Sequence, residues 1–276
     1  MGDERPIGVF DSGLGGLTVA KEIFRLMPGE RIIYLGDTAR VPYGNKSEEA
    51  IKRFGLQDAR MLLDMDIKLL IAACNTVSSV ALSHLEQHVK DIPVIGVVWP
   101  GARAATSKSV EKRIGVIGTA ATIRSGSYAK AINSIDPNIK VYGKPCPLFV
   151  PLVEEGLIDS DITRAAVQHY LYEMVDLGID CLILGCTHYP ILMEAIQGAV
   201  GNRIQLIDSA LWVAKEAQNI LKATNAAAAG DTGGFTLSRF LVTDLTPNFE
   251  PVAEALLGAG IPNIEKIAVE ELEKKF

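Results

Sequence analysis

Two cysteines occupy matching places in the sequence, each directly after a short apolar run and directly before a polar residue. Cys74 follows residues 69–73, and Cys186 follows residues 181–185. Such runs are typical of buried parallel strands, and open parallel sheets bind ligands beyond the carboxyl ends of their strands. The pattern therefore predicts that two thiols face one cavity, where they could act as a pair in proton-transfer or nucleophilic chemistry.

The competing interpretation is that these cysteines only pack in the core, because free cysteine is among the most buried residue types. Matched positions favour catalysis for Cys74 and Cys186, whereas Cys146, between two prolines, and Cys181, at a strand start, are interpreted as structural. His188 lies two residues after Cys186 and could support a cysteine hydrolase. No local nucleophile signature accompanies that pair, so we do not favour a hydrolase.

Polar turns follow other predicted strands. The glycine-rich turn 11–18 offers backbone N–H groups to an anion, but it lacks the G-x-G-x-x-G spacing of dinucleotide sites. Asp11 at its start would repel a phosphate and could hydrogen-bond an ammonium group. The loop 37–44 is rich in hydrogen-bonding groups, and Thr119 and Thr122 offer two hydroxyls to a carboxylate. An ordinary turn and a helix cap are the simpler explanations of these last two segments.

The composition restricts the class of protein. The chain has 276 residues, of which 48% are hydrophobic and 22% charged, and its formal net charge is -6 at pH 7. This length allows two packed domains, and the acidic balance argues against a basic nucleic-acid-binding surface. The cysteine and histidine spacings do not suit a metal site. Without an apolar membrane segment or a signal segment, we expect a cytoplasmic protein that does not bind a membrane.

Strand-like runs alternate with helical patterns along the chain, which predicts an α/β fold with mostly parallel sheets. Two motif pairs recur at nearly equal offsets, Gly8 with Gly115 and Cys74 with Cys186, so we expect two pseudo-symmetric, doubly wound domains with an interdomain active site. Residues 1–99 and 208–276 are expected to form a discontinuous domain carrying Cys74, and residues 100–207 a second domain carrying Cys186. Expected strands are 6–10, 31–35, 67–73, 94–98, 113–117, 139–142, 180–184, 204–207, 235–243 and 264–269. Expected helices are 17–26, 48–64, 77–89, 162–176, 210–222 and 247–257, with an exposed loop at 226–234.

Six segments together resemble glutamate racemases, members of the aspartate/glutamate racemase superfamily. The segments are F-D-S-G-L-G-G-L-T at 10–18, G-D-T-A-R-V-P-Y-G at 36–44, A-C-N-T at 73–76, G-T-A-A-T at 118–122, V-E-E-G at 153–156 and L-G-C-T-H-Y-P at 184–190. The resemblance extends from about residue 6 to the last helix and is weakest at 226–234. It departs at Val242-Thr243-Asp244, where family members often have Thr-Gly-Asp.

The resemblance implies an isomerase that interconverts L- and D-glutamate without a cofactor or metal and supplies D-glutamate for peptidoglycan biosynthesis. Racemisation removes a proton on one face of Cα and returns one on the other, so one base per face suffices. The resemblance assigns Cys74 to the D-enantiomer and Cys186 to the L-enantiomer, with Asp11, His188 and Glu154 as auxiliary catalytic residues. The implied substrate contacts are Asp11, Ser12, Pro42, Tyr43, Gly44, Asn75, Thr76, Thr119, Thr122 and Thr187. A homodimer is also implied.

Two alternatives stay open at this point. Another two-cysteine racemase of the superfamily would act on aspartate or a hydantoin, although the segments 11–16 and 186–190 favour glutamate. A noncatalytic small-molecule binding protein with two α/β lobes would use the cysteines only for packing. The expected partners are therefore D- and L-glutamate, with neither nucleic acid nor membrane.

Overall fold

Two parallel β-sheets form the framework of the computed structural model, which describes residues 2–230 and 233–275. The strands are β1 (Ile7–Asp11), β2 (Ile32–Gly36), β3 (Leu69–Ala72), β4 (Val94–Gly96), β5 (Arg113–Gly118), β6 (Lys140–Pro145), β7 (Cys181–Gly185), β8 (Gln205–Asp208), β9 (Arg239–Val242) and β10 (Ile264–Lys266). The larger sheet has the order β10-β9-β2-β1-β3-β4, and the smaller sheet has the order β6-β5-β7-β8. Each pair of neighbouring strands is parallel.

The two sheets share one strand order. β2-β1-β3-β4 in the larger sheet corresponds to β6-β5-β7-β8 in the smaller one, and β9 and β10 extend the larger sheet beyond β2. Cys74 follows β3 and Cys186 follows β7, which is the counterpart of β3. The expected α/β fold with two mostly parallel sheets is confirmed. The boundaries proposed for the two domains stay a prediction, and we refer below to the larger and the smaller half by their sheets.

Helices cover both sheets. Those of the described residues are α1 (Leu17–Leu26), α2 (Glu48–Leu63), α3 (Asn75–Val80), α4 (Leu82–His88), α5 (Val98–Lys108), α6 (Ala120–Ser125), α7 (Ser127–Ile135), α8 (Phe149–Glu154), α9 (Asp161–Asp176), α10 (Met193–Val200), α11 (Ser209–Ala223), α12 (Phe249–Leu257) and α13 (Val269–Glu273). Short 3-10 turns lie at Thr38–Arg40, Tyr43–Asn45 and Tyr189–Leu192. No helix in this part of the chain is long and apolar enough to cross a membrane.

Local sequence explains where many of these elements lie. β1, β2, β3 and β7 are buried at every residue, as expected for strands covered on both faces. Side-chain caps start several helices, because a side-chain oxygen accepts an otherwise unpaired N–H of the first turn. These caps are Ser47 for α2, Thr119 for α6, Ser160 for α9 and Asp208 for α11. α1 and α5 both pack against α11, which joins the two halves.

Several expected elements differ from the observed ones, and the strand expected over 264–269 ends at Lys266, with Val269 beginning α13. The strand expected over 235–243 begins only at Arg239, because residues 234–237 form a turn, and Ser238 Oγ donates to the carbonyl of Gly234 at its start. The helix expected over 77–89 is divided at Ala81 into α3 and α4. Val98, expected at a strand end, begins α5 instead, and Pro100 is tolerated there because it lies in the first turn.

Four helices were not expected, namely α7, α8, α10 and α13, whereas α6 is the helix that Thr119 was expected to cap. α8 and α13 have only six and five residues, too few for a helical period to show. The expected loop 226–234 forms neither helix nor strand where it is described, and residues 231–232 of it lie outside the described residues.

Candidate active site

The carboxyl ends of strands from both sheets meet at one cavity. The residues lining it are Ser12, Val41, Pro42, Tyr43, Gly44, Cys74, Asn75, Thr76, Thr119, Val150, Cys186, Thr187 and His188. The water-accessible volume of the cavity is about 10 Å³, which suits about one water molecule. Both predicted thiols therefore lie on the walls of one closed cavity, one thiol from each half.

Cys74 is the residue just before α3 and is 3% exposed. Its thiol donates a hydrogen bond to Ser12 Oγ at 3.6 Å. Burial raises the pKa of the Cys74 thiol to about 12, and the nearby carboxylate of Asp11 contributes in the same direction. The Cys74 sulfur therefore carries its proton at neutral pH in this geometry.

His188 connects Cys186 to Glu154. The distance from Cys186 Sγ to His188 Nδ1 is 3.9 Å, and the distance from His188 Nε2 to Glu154 Oε1 is 2.6 Å. Burial lowers the pKa of His188, but the hydrogen bonds to Cys186 and Glu154 outweigh burial and raise this pKa well above its usual value. An imidazolium is therefore held beside the sulfur, where it can stabilise negative charge.

Asp11 is fully buried and joins the two halves. One carboxylate oxygen accepts hydrogen bonds from the N–H groups of Gly13 and Gly16, and the other accepts from Thr187 Oγ1, each at 3.1 Å. Burial raises the pKa of Asp11, whereas the charge of His188 and these hydrogen bonds act in the opposite direction. The structure places Asp11 behind the lining residues, where protein groups donate to both of its carboxylate oxygens.

Three threonine hydroxyls link the halves at the cavity. Thr76 Oγ1 of the larger half lies 3.0 Å from Thr119 Oγ1 of the smaller half, which lies 3.0 Å from Thr122 Oγ1. Thr122, like Asp11 and Glu154, does not line the cavity but supports residues that do. The predicted site residues thus form two layers, a lining layer that includes both thiols and a supporting layer of three.

Tyr43 anchors the wall formed by residues 42–44. Its hydroxyl donates to Asp37 and lies 3.0 Å from Asp58 Oδ2. Arg40 contacts the same carboxylates, with Nε 2.6 Å from Asp37 Oδ2 and a terminal nitrogen 3.2 Å from Asp58 Oδ1. Burial, and then the negative charge of Asp37, raise the pKa of Asp58 well above its usual value, so the Asp58 carboxyl is protonated.

Several residues of the site were missed from sequence. Val41 and Val150 line the cavity, and Tyr128 and Asp58 support lining residues from behind. Val41 lies inside the segment 36–44, and Val150 lies one helical turn before Glu154, so a helix prediction there would have placed it on the same face. Tyr128 and Asp58 carry no comparable signal, because their partners are distant in sequence.

A wider groove of about 860 Å³ lies between α9 and α10, with Arg164, Pro190 and Met193 in its lining. None of the predicted site residues lines this groove. Across residues 2–230 and 233–275, His, Cys, Asp and Glu side chains form no group of three or more that could hold a metal ion. Because both predicted thiols line the closed cavity and none of the predicted site residues lines the groove, the closed cavity is the candidate active site.

Comparison with known proteins identifies the family of the chain. Residues 7–217 match the model of the Asp/Glu/Hydantoin racemase family. The chain belongs to this racemase family. The glutamate racemase of Chlorobaculum tepidum is 45% identical to this racemase over 269 residues, which is 98% of each chain.

Solved structures of glutamate racemases share the fold of this racemase. The crystal structure from Francisella tularensis, in complex with D-glutamate, has a TM-score of 0.89 and 40% identity, covering 97% of this chain and 99% of the other. The structure from Escherichia coli, in complex with L-glutamate and the activator UDP-MurNAc-ala, has a TM-score of 0.78 and 28% identity, covering 96% and 98%. Family membership makes the chain an isomerase.

Proposed function

We propose that this racemase interconverts L-glutamate and D-glutamate, with Cys74 and Cys186 as the two bases. The observation that carries the proposal is the placement of both thiols on the walls of one closed cavity, one from each half. The similar proteins from Chlorobaculum tepidum and Francisella tularensis, both glutamate racemases, support glutamate as the substrate. Packing alone would not require both thiols to lie at the same cavity, so their shared position favours catalysis over a purely structural role.

Each direction of the reaction uses one thiolate and one thiol. From L-glutamate, Cys186 removes the Cα proton and Cys74 delivers a proton to the opposite face. His188, 3.9 Å away, stabilises the negative charge that Cys186 carries as the base, and the raised pKa of Cys74 keeps the donor protonated. Conversion of L-glutamate leaves Cys74 without its proton and Cys186 with the proton taken from Cα. This is the state that reacts with D-glutamate, with Cys74 as the thiolate and Cys186 as the thiol.

Negative charge develops on the α-carboxylate as the bond between Cα and hydrogen breaks. In a reaction without a cofactor, preorganised N–H and O–H donors have to stabilise this charge. The closed cavity also excludes bulk water, which strengthens such hydrogen bonds. The proposed contacts to the carboxylate and ammonium groups are Ser12, Pro42, Tyr43, Gly44, Asn75, Thr76, Thr119 and Thr187. Thr122 supports Thr119 from behind, and Asp11, His188 and Glu154 tune the thiols from their positions beside or behind them.

Incubation of the purified protein with glutamate in D2O, without added cofactor, tests this function. L-glutamate should become D-glutamate that carries deuterium at Cα, and D-glutamate should become deuterated L-glutamate. Aspartate and a hydantoin are the matched comparison substrates, and neither should exchange at a comparable rate. Racemisation of aspartate but not glutamate would contradict the substrate assignment, and tight glutamate binding without any exchange would favour the noncatalytic binding protein.

The proposed product gives the reaction its place in the cell. D-glutamate is a component of peptidoglycan, so we place this racemase in cell wall biogenesis, on which cell shape depends. A cytoplasmic location, expected from the sequence, and a homodimeric state, implied by the resemblance, both stay predictions.

A further inference from the structure

Tyr128 joins the two halves directly behind the candidate active site. It belongs to α7 of the smaller half and is 3% exposed. Its hydroxyl donates to Oδ1 of Asn75, on α3 of the larger half, at 2.6 Å. Asn75 lines the cavity beside Cys74, whereas Tyr128 does not line it. Tyr128 therefore contacts a proposed substrate-binding residue from behind.

Two glycines make room for the Tyr128 ring. A Cβ atom on Gly185, the residue just before Cys186, would lie 3.3 Å from Tyr128 Cε2, and one on Gly101 would lie 3.3 Å from Tyr128 Cε1. These separations are tighter than ordinary van der Waals contact, so the ring fits closely between the two backbones. The ring is thus held by the strand end that precedes Cys186, while the hydroxyl reaches the helix that follows Cys74.

The distance between Tyr128 and Asn75 indicates how the Asn75 amide is oriented. A separation of 2.6 Å is usual for an O–H···O hydrogen bond and short for an N–H···O one, so the amide oxygen faces Tyr128. Ser209 Oγ lies 3.3 Å from the same hydroxyl and can donate to the phenol oxygen, which leaves the phenolic proton for Asn75. Burial raises the pKa of Tyr128 above its usual value, so the hydroxyl keeps that proton.

We propose that Tyr128 is a positioning residue that makes Asn75 a hydrogen-bond donor toward a carboxylate of the substrate. The inference rests on the proposed function, since glutamate supplies the carboxylate. With its oxygen bound to Tyr128, the Asn75 amide presents its NH2 group to the cavity, and a carboxylate only accepts hydrogen bonds. The opposite orientation would place the amide oxygen against the anion and weaken binding.

Tyr128→Phe tests the proposal because it keeps the ring and removes only the donor. We expect KM for both glutamate enantiomers to rise about tenfold, as losing a hydrogen bond of this kind weakens binding by that order. We expect kcat to change far less, since Tyr128 touches neither thiol. Asn75→Ala should also raise KM, and Tyr128→Phe should add no further effect in that background, because Tyr128 acts through Asn75. Calorimetric titration with D-glutamate provides a readout independent of turnover.

Ser209→Ala is the matched control. It removes the other hydrogen bond of Tyr128 and leaves the donor to Asn75, so KM should stay close to that of the wild type. Asn75→Asp provides a second variant, because aspartate keeps an oxygen for Tyr128 but presents oxygen in place of NH2 to the cavity. Asn75→Asp should raise KM at least as much as Tyr128→Phe.

An unchanged KM in Tyr128→Phe or Asn75→Asp, or additive effects of Tyr128→Phe and Asn75→Ala, would overturn the positioning role while leaving the proposed function intact. A wild-type protein that neither binds nor racemises glutamate would overturn the proposed function and this inference with it. Measuring the wild type first therefore separates the two outcomes.

Discussion

His188 couples the charge of Glu154 to the thiol of Cys186. It lies between the Cys186 sulfur and the Glu154 carboxylate, and its pKa is raised although its burial alone would lower it. A group whose pKa is raised in the folded state stabilises the fold fully below its ordinary pKa. That stabilisation is lost as the pH rises through the pKa of His188 in the folded protein. The interaction therefore stabilises the fold at mildly acidic and neutral pH.

Glu154→Gln isolates the charge of Glu154 because glutamine has nearly the same shape. Without the carboxylate, the pKa of His188 falls, and the imidazolium beside Cys186 is lost at a lower pH. We expect the alkaline limb of kcat/KM for L-glutamate to move downward by about one pH unit, which corresponds to ~1.4 kcal/mol of lost interaction. Profiles of rate against pH for both proteins measure the shift, and superimposable alkaline limbs would contradict the coupling between Glu154 and His188.

Individual site residues were predictable where their position after a strand already indicated a ligand site. Cys74 and Cys186 stand at the ends of equivalent apolar strands, and the end of a parallel strand is where ligand sites form. A substrate contact of Asp11 stays a prediction, whereas the hydrogen bonds that its carboxylate accepts from Gly13, Gly16 and Thr187 were not predicted. Such partnerships depend on tertiary contacts, which a spacing pattern does not contain.

At the level of elements, the segment after β2 is held to α2 by a buried charged network. Asp37 accepts hydrogen bonds from Arg40, Tyr43 and Thr243 and therefore acts as the anion of the group. Asp58, on α2, carries the proton. One guanidinium thus faces one carboxylate and one neutral carboxyl, so the buried charges balance. The network fixes Tyr43 and with it the cavity wall 42–44.

Asparagine substitutions distinguish the two carboxyl groups. Asp58→Asn replaces a neutral group with a neutral one and should change the free energy of unfolding by less than about 1 kcal/mol at pH 7. Asp37→Asn removes the only ionised partner among these groups and leaves Arg40 buried without a counter-charge, which should cost about 3 kcal/mol. Urea denaturation of both variants measures the difference.

The dependence of stability on pH tests the protonation of Asp58 separately. Because the pKa of Asp58 is raised on folding, the wild type loses stability as the pH rises above the ordinary aspartate value toward the folded one. Asp58→Asn lacks this loss, so its stability relative to the wild type should improve with rising pH. Equal destabilisation by Asp37→Asn and Asp58→Asn would show that the two carboxyls do not differ in charge.

The elements that could be predicted were those with a strong local pattern. Strands such as β3 and β7 are buried at every residue. Their sequences are therefore continuous apolar runs, which predict a strand clearly. α3 was predicted as part of a longer helix, because the break at Ala81 carries no glycine or proline signal. The hydrogen bonds between α2 and the side chains of Arg40 and Tyr43 link residues that no local pattern connects.

At the level of the whole molecule, the two halves meet closely around the cavity. Hydrogen bonds cross between them from Thr187 to Asp11, from Thr76 to Thr119 and from Tyr128 to Asn75. A Cβ atom on Gly44 would lie 2.4 Å from Thr119 Cβ, so only glycine permits this approach. A water-accessible volume of about 10 Å³ is too small for glutamate. Substrate entry therefore requires the walls to separate, and closure then excludes water.

The nearly equal offsets of the motif pairs predicted this arrangement in outline. Two halves with the same strand order place Cys74 and Cys186 at equivalent strand ends, and the fold brings both to one cavity. The closeness of the approach was not predictable, because it depends on which loops contact one another. The central claim is that one thiol from each half serves one face of the substrate.

Proton exchange by single-cysteine variants tests this claim most directly. Cys74→Ala and Cys186→Ala are incubated with each enantiomer of glutamate in D2O, with Cys181→Ala as a control that removes a buried thiol outside the cavity. Each site variant should lose racemisation by at least about a thousandfold, since each lacks a proton donor or acceptor on one face, whereas Cys181→Ala should racemise like the wild type. Full racemisation with deuterium incorporation by either site variant would contradict the two-thiol account.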